Sequence, residues 1–214
     1  MDFTEIIRGI ELFPSPSKPT HASALLVWFA RPTAKVRRVL ELGSGSGIVS
    51  IAISRIYGRE VLGIELIGDL VKAAERSAEL NGIEGMARFI QGDVRDIRRI
   101  VDAESFDMVV SNPPHHVFKD HSPDGIRAAA RTASEDLIDA FVDAISWSLR
   151  NGGEYVLVLS PEGMMEWLFR LKARRLEPKR MVFFHPKDKA ELVAVRGRKN
   201  GRVGLVVEKP ILGR

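Results

Sequence analysis

The 214-residue chain contains no cysteine, which excludes disulfides, thiolate metal sites and a cysteine nucleophile. It also lacks any run of about 18 apolar residues long enough to cross a bilayer. The start, Met1-Asp2-Phe3-Thr4-Glu5, has no basic-then-apolar layout of a secretory leader, so a cytoplasmic location is expected. Internal repeats and low-complexity linkers are missing too. The proline-rich Phe13-Pro-Ser-Pro-Ser-Lys-Pro19 is the one candidate boundary. It divides the expectation into an N-terminal arm with a lead-in helix (residues 1–34, helix Ala22–Ala30) and a single domain over residues 35–214.

With 45% hydrophobic and 28% charged residues, the composition is that of a globular domain. The net charge of +4 is unevenly spread. Residues 1–166 carry 18 basic and 24 acidic side chains, whereas residues 167–214 carry 14 and 4. A basic segment on an acidic body suggests a polyanionic partner, most simply RNA, with a solvated basic surface as the plainer alternative. The candidate contacts are Lys172, Arg174, Arg175, Lys179, Arg180, Arg196, Arg198, Lys199 and Arg202.

Short β-branched runs alternate with helical periodicity. Strands are expected at Val36–Leu42, Glu60–Glu65, Ala87–Gln91, Phe106–Ser111 and Glu154–Leu159. Helices are expected at Ile48–Tyr57, Asp69–Asn81, Ile126–Leu149 and Met164–Ala173, with Asn151-Gly-Gly153 ending the long one. Three further strands follow, Met181–Phe184, Glu191–Val195 and Val203–Val207, the last two joined by a hairpin at Asn200-Gly201. This order implies an α/β fold: a doubly wound, Rossmann-like, mostly parallel sheet with antiparallel C-terminal edge strands.

The first strand runs into Glu41-Leu-Gly-Ser-Gly-Ser-Gly47 and then a helix. Glycines let the backbone turn tightly and let a ligand approach, and a helix N-terminus offers unpaired N–H groups. A pyrophosphate dinucleotide calls for Gly-x-Gly-x-x-Gly; Gly43, Gly45 and Gly47 instead alternate, with Glu41 just ahead. An acidic residue there suits a ligand with a cationic amine, which S-adenosylmethionine has. Glu65, beside Leu66, ends the second strand, where a carboxylate can accept two ribose hydroxyls. Asp93, beside Val94, follows the third, placed to accept from an adenine amine. The expected cofactor set is therefore Glu41, Gly43, Ser44, Gly45, Gly47, Glu65, Leu66, Asp93, Val94 and Asn112.

Strand four ends in Asn112-Pro113-Pro114-His115. The nitrogen of a planar amine is a poor nucleophile because its lone pair is delocalised. Two acceptors aimed at its N–H bonds, the Asn112 amide oxygen and the Pro113 carbonyl, can hold it while a sulfonium methyl approaches. The prolines stiffen this loop.

Glu-x-Gly-x-Gly-x-Gly, the Glu65 strand, Gly92-Asp93 and Asn-Pro-Pro resemble class I S-adenosylmethionine-dependent methyltransferases acting on amino groups. Within them the chain is most similar to the bacterial tRNA(Val) adenine-N6 methyltransferase family, through Phe13–Ala30, Arg127-Ala-Ala-Ala-Arg131 and Phe183-Phe-His-Pro186. The resemblance implies methylation of an exocyclic base amine in RNA, with the residue after Asn-Pro-Pro stacking on the target base. That residue is aromatic in the family and is His115 here. Other readings compatible with the motifs are a protein glutamine methyltransferase, a guanine-N2 RNA methyltransferase and a non-catalytic RNA-binding module. His115, His116, His121, Asp120 and Asp124 match no standard metal-ligand spacing, so no metal is expected. Arg127 and Arg131 either contact phosphate or pair with nearby acids. Thr20 and His21 either close over the cofactor or, for Thr20, cap a helix.

Overall fold

The computed structural model describes residues 3–114 and 124–213, with side chains in the second stretch from residue 135 onward. Seven main strands form the sheet: β1 (Arg38–Leu42), β2 (Glu60–Glu65), β3 (Ala87–Gln91), β4 (Phe106–Ser111), β5 (Leu149–Leu159), β6 (Leu176–His185) and β7 (Leu192–Lys199). Two-residue strands β8 (Val206–Val207) and β9 (Ile211–Leu212) complete it. Their order is β3-β2-β1-β4-β5-β7-β6-β8, with β9 also paired to β6. β1 to β5 are parallel, and β7 runs antiparallel between β5 and β6.

Helices cover both faces. α1 (His21–Ala30), α2 (Ile48–Tyr57) and α3 (Gly68–Leu80) lie on one side. α4 (Ile97–Ile100), α5 (Asp124–Ser148) and α6 (Met164–Ala173) lie on the other. The pleat accounts for this division: Val39, Val156 and Val158 enter the α1/α2 core, whereas their neighbours Leu40, Leu157 and Leu159 enter the α5/α6 core. The arm is packed, since Phe3 lies edge-on to Phe184 and Leu25, Leu26 and Val27 are wholly buried. Among the described residues, no helix is long and apolar enough to cross a membrane.

Three expected boundaries are corrected. Asn151-Gly-Gly153 does not end a helix: α5 stops at Ser148 and these residues bulge out of β5, whose register to β4 shifts between Phe106 and Met108. Leu149 is fully buried and belongs to the strand, and Gly152 takes the positive φ the bulge needs. β6 begins at Leu176 rather than Met181, because Pro178 is accommodated at a register shift. The Asn200-Gly201 hairpin does not form. β7 is already paired on both sides, to β5 and β6, so residues 203–207 have no free edge on it. Instead the chain turns at Asn200 and lays Val206–Val207 parallel to β6.

Candidate active site

The parallel strands β1, β2 and β4 deliver Glu41, Glu65 and Asn112 to one end of the sheet, and Asp93 follows β3 there. Register fixes their order: Leu42 pairs with Ile64 and Ser111, and Glu65 pairs with Gln91. The buried Ser111 hydroxyl donates to the Leu42 carbonyl at 2.7 Å, clamping the ends of β1 and β4 together.

The three glycines of the loop have separate reasons to be glycine. All have positive φ. A Cβ on Gly43 would meet nothing within 4 Å, so Gly43 faces open space. One on Gly45 would lie 2.8 Å from the Ser17 hydroxyl, because the proline-rich segment passes over the loop. One on Gly47 would strike Phe89 at 2.8 Å and Ala74 at 2.9 Å, so that glycine serves packing. Ser17, Phe89 and the strand glycine Gly63, also pressed against Phe89, escaped the motif reading. A lone glycine inside a strand was the available signal.

Glu41 is buried, and its Oε2 accepts from Ser50 N (2.9 Å) and Ser50 Oγ (2.5 Å), capping the first turn of α2. Burial pushes its carboxyl up to about 8, against the opposing Ser50 hydrogen bonds. A carboxyl raised in the folded state binds its proton more tightly there than when unfolded, so it adds stability at low pH that is lost as pH rises. We expect the ligand-free protein to lose stability between about pH 4.5 and about 8, with Glu41→Gln flattening that slope in urea titrations across pH.

Glu65 is also buried, and its two oxygens accept from Gly45 N (2.8 Å) and Ile67 N (3.0 Å). Each oxygen keeps a second acceptor direction. Leu66 is exposed beside it, and Val94 is buried under the Asp93 turn. Asp93 accepts from Arg95 N (2.9 Å) and holds the Arg95 guanidinium, whose hydrogen bonds keep its carboxyl below the usual range.

Asn112 is different in kind. Its Oδ1 is buried and has no hydrogen-bond partner among the described residues. The Ser44 and Ser46 hydroxyls, on the adjoining loop, are likewise buried and unpartnered. Buried acceptors are satisfied in the great majority of cases, so these three neighbouring orphans are candidate ligand contacts, although Ser54 and Ser148, away from this end, also have unpartnered hydroxyls. Pro113 is buried and Pro114 exposed. His115, His116, Asp120 and His121 lie outside the described residues, as do the side chains of Asp124, Arg127 and Arg131. Thr20 Oγ1 accepts from Ser23 N, so Thr20 caps α1.

Lys199 and Arg198 of the basic cluster lie towards the opposite end of the sheet, where Lys199 pairs with Leu176 at the start of β6, whereas Arg180 and Arg196 lie in the row of Val156, Val110 and Glu41. Arg196 and Lys199 have side chains only 12% and 13% exposed, bonded to Glu154 and Glu104. Arg198 pairs with Glu154, Arg174 with Asp143 and Arg180 with Glu208. These charges hold elements together. The exposed Lys187 and Lys189, in the turn between β6 and β7, lie at the Asn112 end and were not singled out from sequence.

Residues 39–136 match the methyltransferase domain family. Over 133 residues the chain is 29% identical to the tRNA1(Val) (adenine(37)-N6)-methyltransferase of Tolumonas auensis, covering 61% of this chain and 54% of that protein. It is 32% identical over 128 residues to the release factor glutamine methyltransferase of Aliivibrio fischeri, covering 58% and 44%. The chain thus spans about half the length of these curated relatives. Geranyl diphosphate C-methyltransferase of Streptomyces coelicolor, solved with S-adenosyl-L-homocysteine, shares the fold at a TM-score of 0.65 and 13% identity, covering 92% and 91% of the two chains.

Proposed function

We propose, from the match of residues 39–136 to the methyltransferase domain family and from the shared fold, that the chain transfers the methyl group of S-adenosylmethionine to an exocyclic base amine in RNA, with adenine N6 of tRNA as the leading target. The observation that carries this reading is the buried, unpartnered Asn112 Oδ1 at the end of β4. A planar amine supplies the N–H that this oxygen lacks.

The residues fit the cofactor. Gly43 opens onto free space, and the Ser44 and Ser46 hydroxyls are buried without a hydrogen-bond partner among the described residues. Glu65 has acceptor capacity left for ribose hydroxyls, and Asp93 stands where an adenine amine arrives. Bound there, S-adenosylmethionine supplies an electrophilic methyl on a sulfonium. Asn112 Oδ1 and the Pro113 carbonyl orient the target nitrogen by accepting its two N–H bonds. The Ser111–Leu42 clamp keeps that acceptor in register with the glycine loop. Transfer of that methyl would leave S-adenosylhomocysteine and a proton released from the amine to solvent, so Asn112 and Pro113 need only orient the amine and no strong base is called for. His115 is proposed to stack on the flipped base.

For RNA, the fitting contacts are the cations at the catalytic end. Charge reversal at Lys187 and Lys189 together is expected to weaken RNA binding by about tenfold at low salt, with a shallower salt slope. Reversal at Arg198, already paired with Glu154, is expected to leave RNA affinity within about twofold, as filter binding across a salt series would show. The deciding experiment supplies methyl-labelled cofactor with total RNA or protein extract, then digests and identifies the modified residue. N6-methyladenosine is expected. Label in protein glutamine would overturn the RNA reading, and failure to bind the cofactor would overturn the reaction.

A further inference from the structure

Among the described residues, Asp93 is the one acid of the cofactor-end set whose carboxylate is held by a side-chain cation. Arg95 wraps it: Oδ1 accepts from Arg95 N and Nε, both at 2.9 Å, and Oδ2 from Nε at 3.0 Å, with Nη2 at 2.6 Å. A carboxylate offers about four acceptor directions, and this arrangement consumes most of them. The backbone bond is fixed by the turn at Val94–Asp96, which Asp93 caps. The guanidinium bonds are removable, since the Arg95 side chain is 65% exposed against 23% for Asp93.

We propose that Arg95 is a specificity-determining residue of the nucleoside pocket, a built-in competitor that occupies the Asp93 carboxylate until a ligand's base amine displaces it. The inference rests on the S-adenosylmethionine reading. An incoming adenine must exchange hydrogen bonds from a guanidinium cation for one from an uncharged amine to the same carboxylate, so Arg95 lowers affinity for adenine ligands. The same guanidinium has the opposite effect on a hypoxanthine ligand. Such a base presents an oxygen at that position, which bare Asp93 repels and Arg95 can receive as a donor. Arg95 therefore compresses the preference for adenine over hypoxanthine. Its net weight is bounded by its exposure, because solvent-facing pairs of this kind contribute modestly.

Calorimetric titration with S-adenosyl-L-homocysteine and S-inosyl-L-homocysteine, on wild type, Arg95→Ala and Arg95→Gln, tests this. Both variants keep the Arg95 backbone N–H that caps the turn. We expect adenosyl affinity to rise between about 1.5- and 5-fold and inosyl affinity to fall, widening their ratio in both variants. A purely structural role for Arg95 would move both ligands alike. Unchanged or weaker adenosyl binding, or an unchanged ratio, in variants that still bind would overturn the proposal. Wild type that binds neither ligand would overturn the cofactor reading on which it stands.

Discussion

Asn112→Ala is expected to cut the methyl-transfer rate by about 10²–10³-fold, the scale for losing one group that positions a reacting atom. The oxygen makes no hydrogen bond within the described fold, so its removal breaks nothing structural there. Folding stability should stay level or rise by up to about 1–2 kcal/mol, because a buried acceptor without a partner costs its desolvation. Cofactor affinity should change by less than the rate, since Glu41 and Glu65 sit on other strands and Asp93 in the turn after β3. Single-turnover rates and urea denaturation on the same preparation check both halves. A variant that lost stability and activity together would show that Asn112 supports the strand end rather than the reaction.

The second large effect concerns glycines whose neighbours leave no room for a side chain. Gly47→Ala should cost about 2–5 kcal/mol, combining the left-handed backbone penalty with an overpacked contact. Its φ is 81°, and its Cβ would lie 2.8 Å from Phe89. For a chain of this size that corresponds to a fall in Tm on the order of 5–15 °C. Gly63→Ala meets Phe89 at 2.6 Å without the φ penalty and should cost about 1–3 kcal/mol. Phe89→Leu should recover part of each loss, and less of the Gly47→Ala loss: the Ser44 Cβ at 2.8 Å from the Gly63 position and the Ala74 Cβ at 2.9 Å from the Gly47 position stay in place, and Gly47→Ala keeps its φ penalty as well. Gly43→Ala separates from both. It pays only the backbone cost of about 1–2 kcal/mol, and its methyl enters open space where a ligand approaches. Thermal melts of the four variants, with cofactor titrations, distinguish packing glycines from a binding glycine.

The parallel half of the sheet was legible because its signals are local. β2, β3 and β4 lie where β-branched runs met turn residues, and α2 ends at Gly58 as its left-handed cap requires. The C-terminal half was less legible, because there tertiary pairing overrides local preference. Asn200-Gly201 is a sound turn signal, and the chain does turn. What the dipeptide cannot encode is that β6 already occupies the edge of β7. At the site, the strand-end acids were readable from spacing. Their partners were not: Ser50, Arg95 and Ser17 lack a motif and acquire meaning only through proximity to Glu41, Asp93 and Gly45. The basic C-terminal cluster was legible as charge and not as pairing. Charge counts register sign, whereas Glu154 and Glu104 decide which of those cations remain free.

The segment over the glycine loop has a kinetic side. Glu11 and Phe13 are tied to Asn81 and Ser77, and Arg55 reaches the Gly9 carbonyl, contacts that bridge 46 to 70 residues of chain. Those hydrogen bonds are largely solvent-facing, and Ile10 and Leu12 pack against the core before Phe13, so the loosely held stretch is Phe13–Pro19, ahead of α1, which is sealed into the core. Such a patch opens at a free-energy cost far below that of global unfolding. The roof above Gly45 can thus lift and reseat many times within the lifetime of one folded molecule, and ligand exchange beneath it need not wait for the sheet to move.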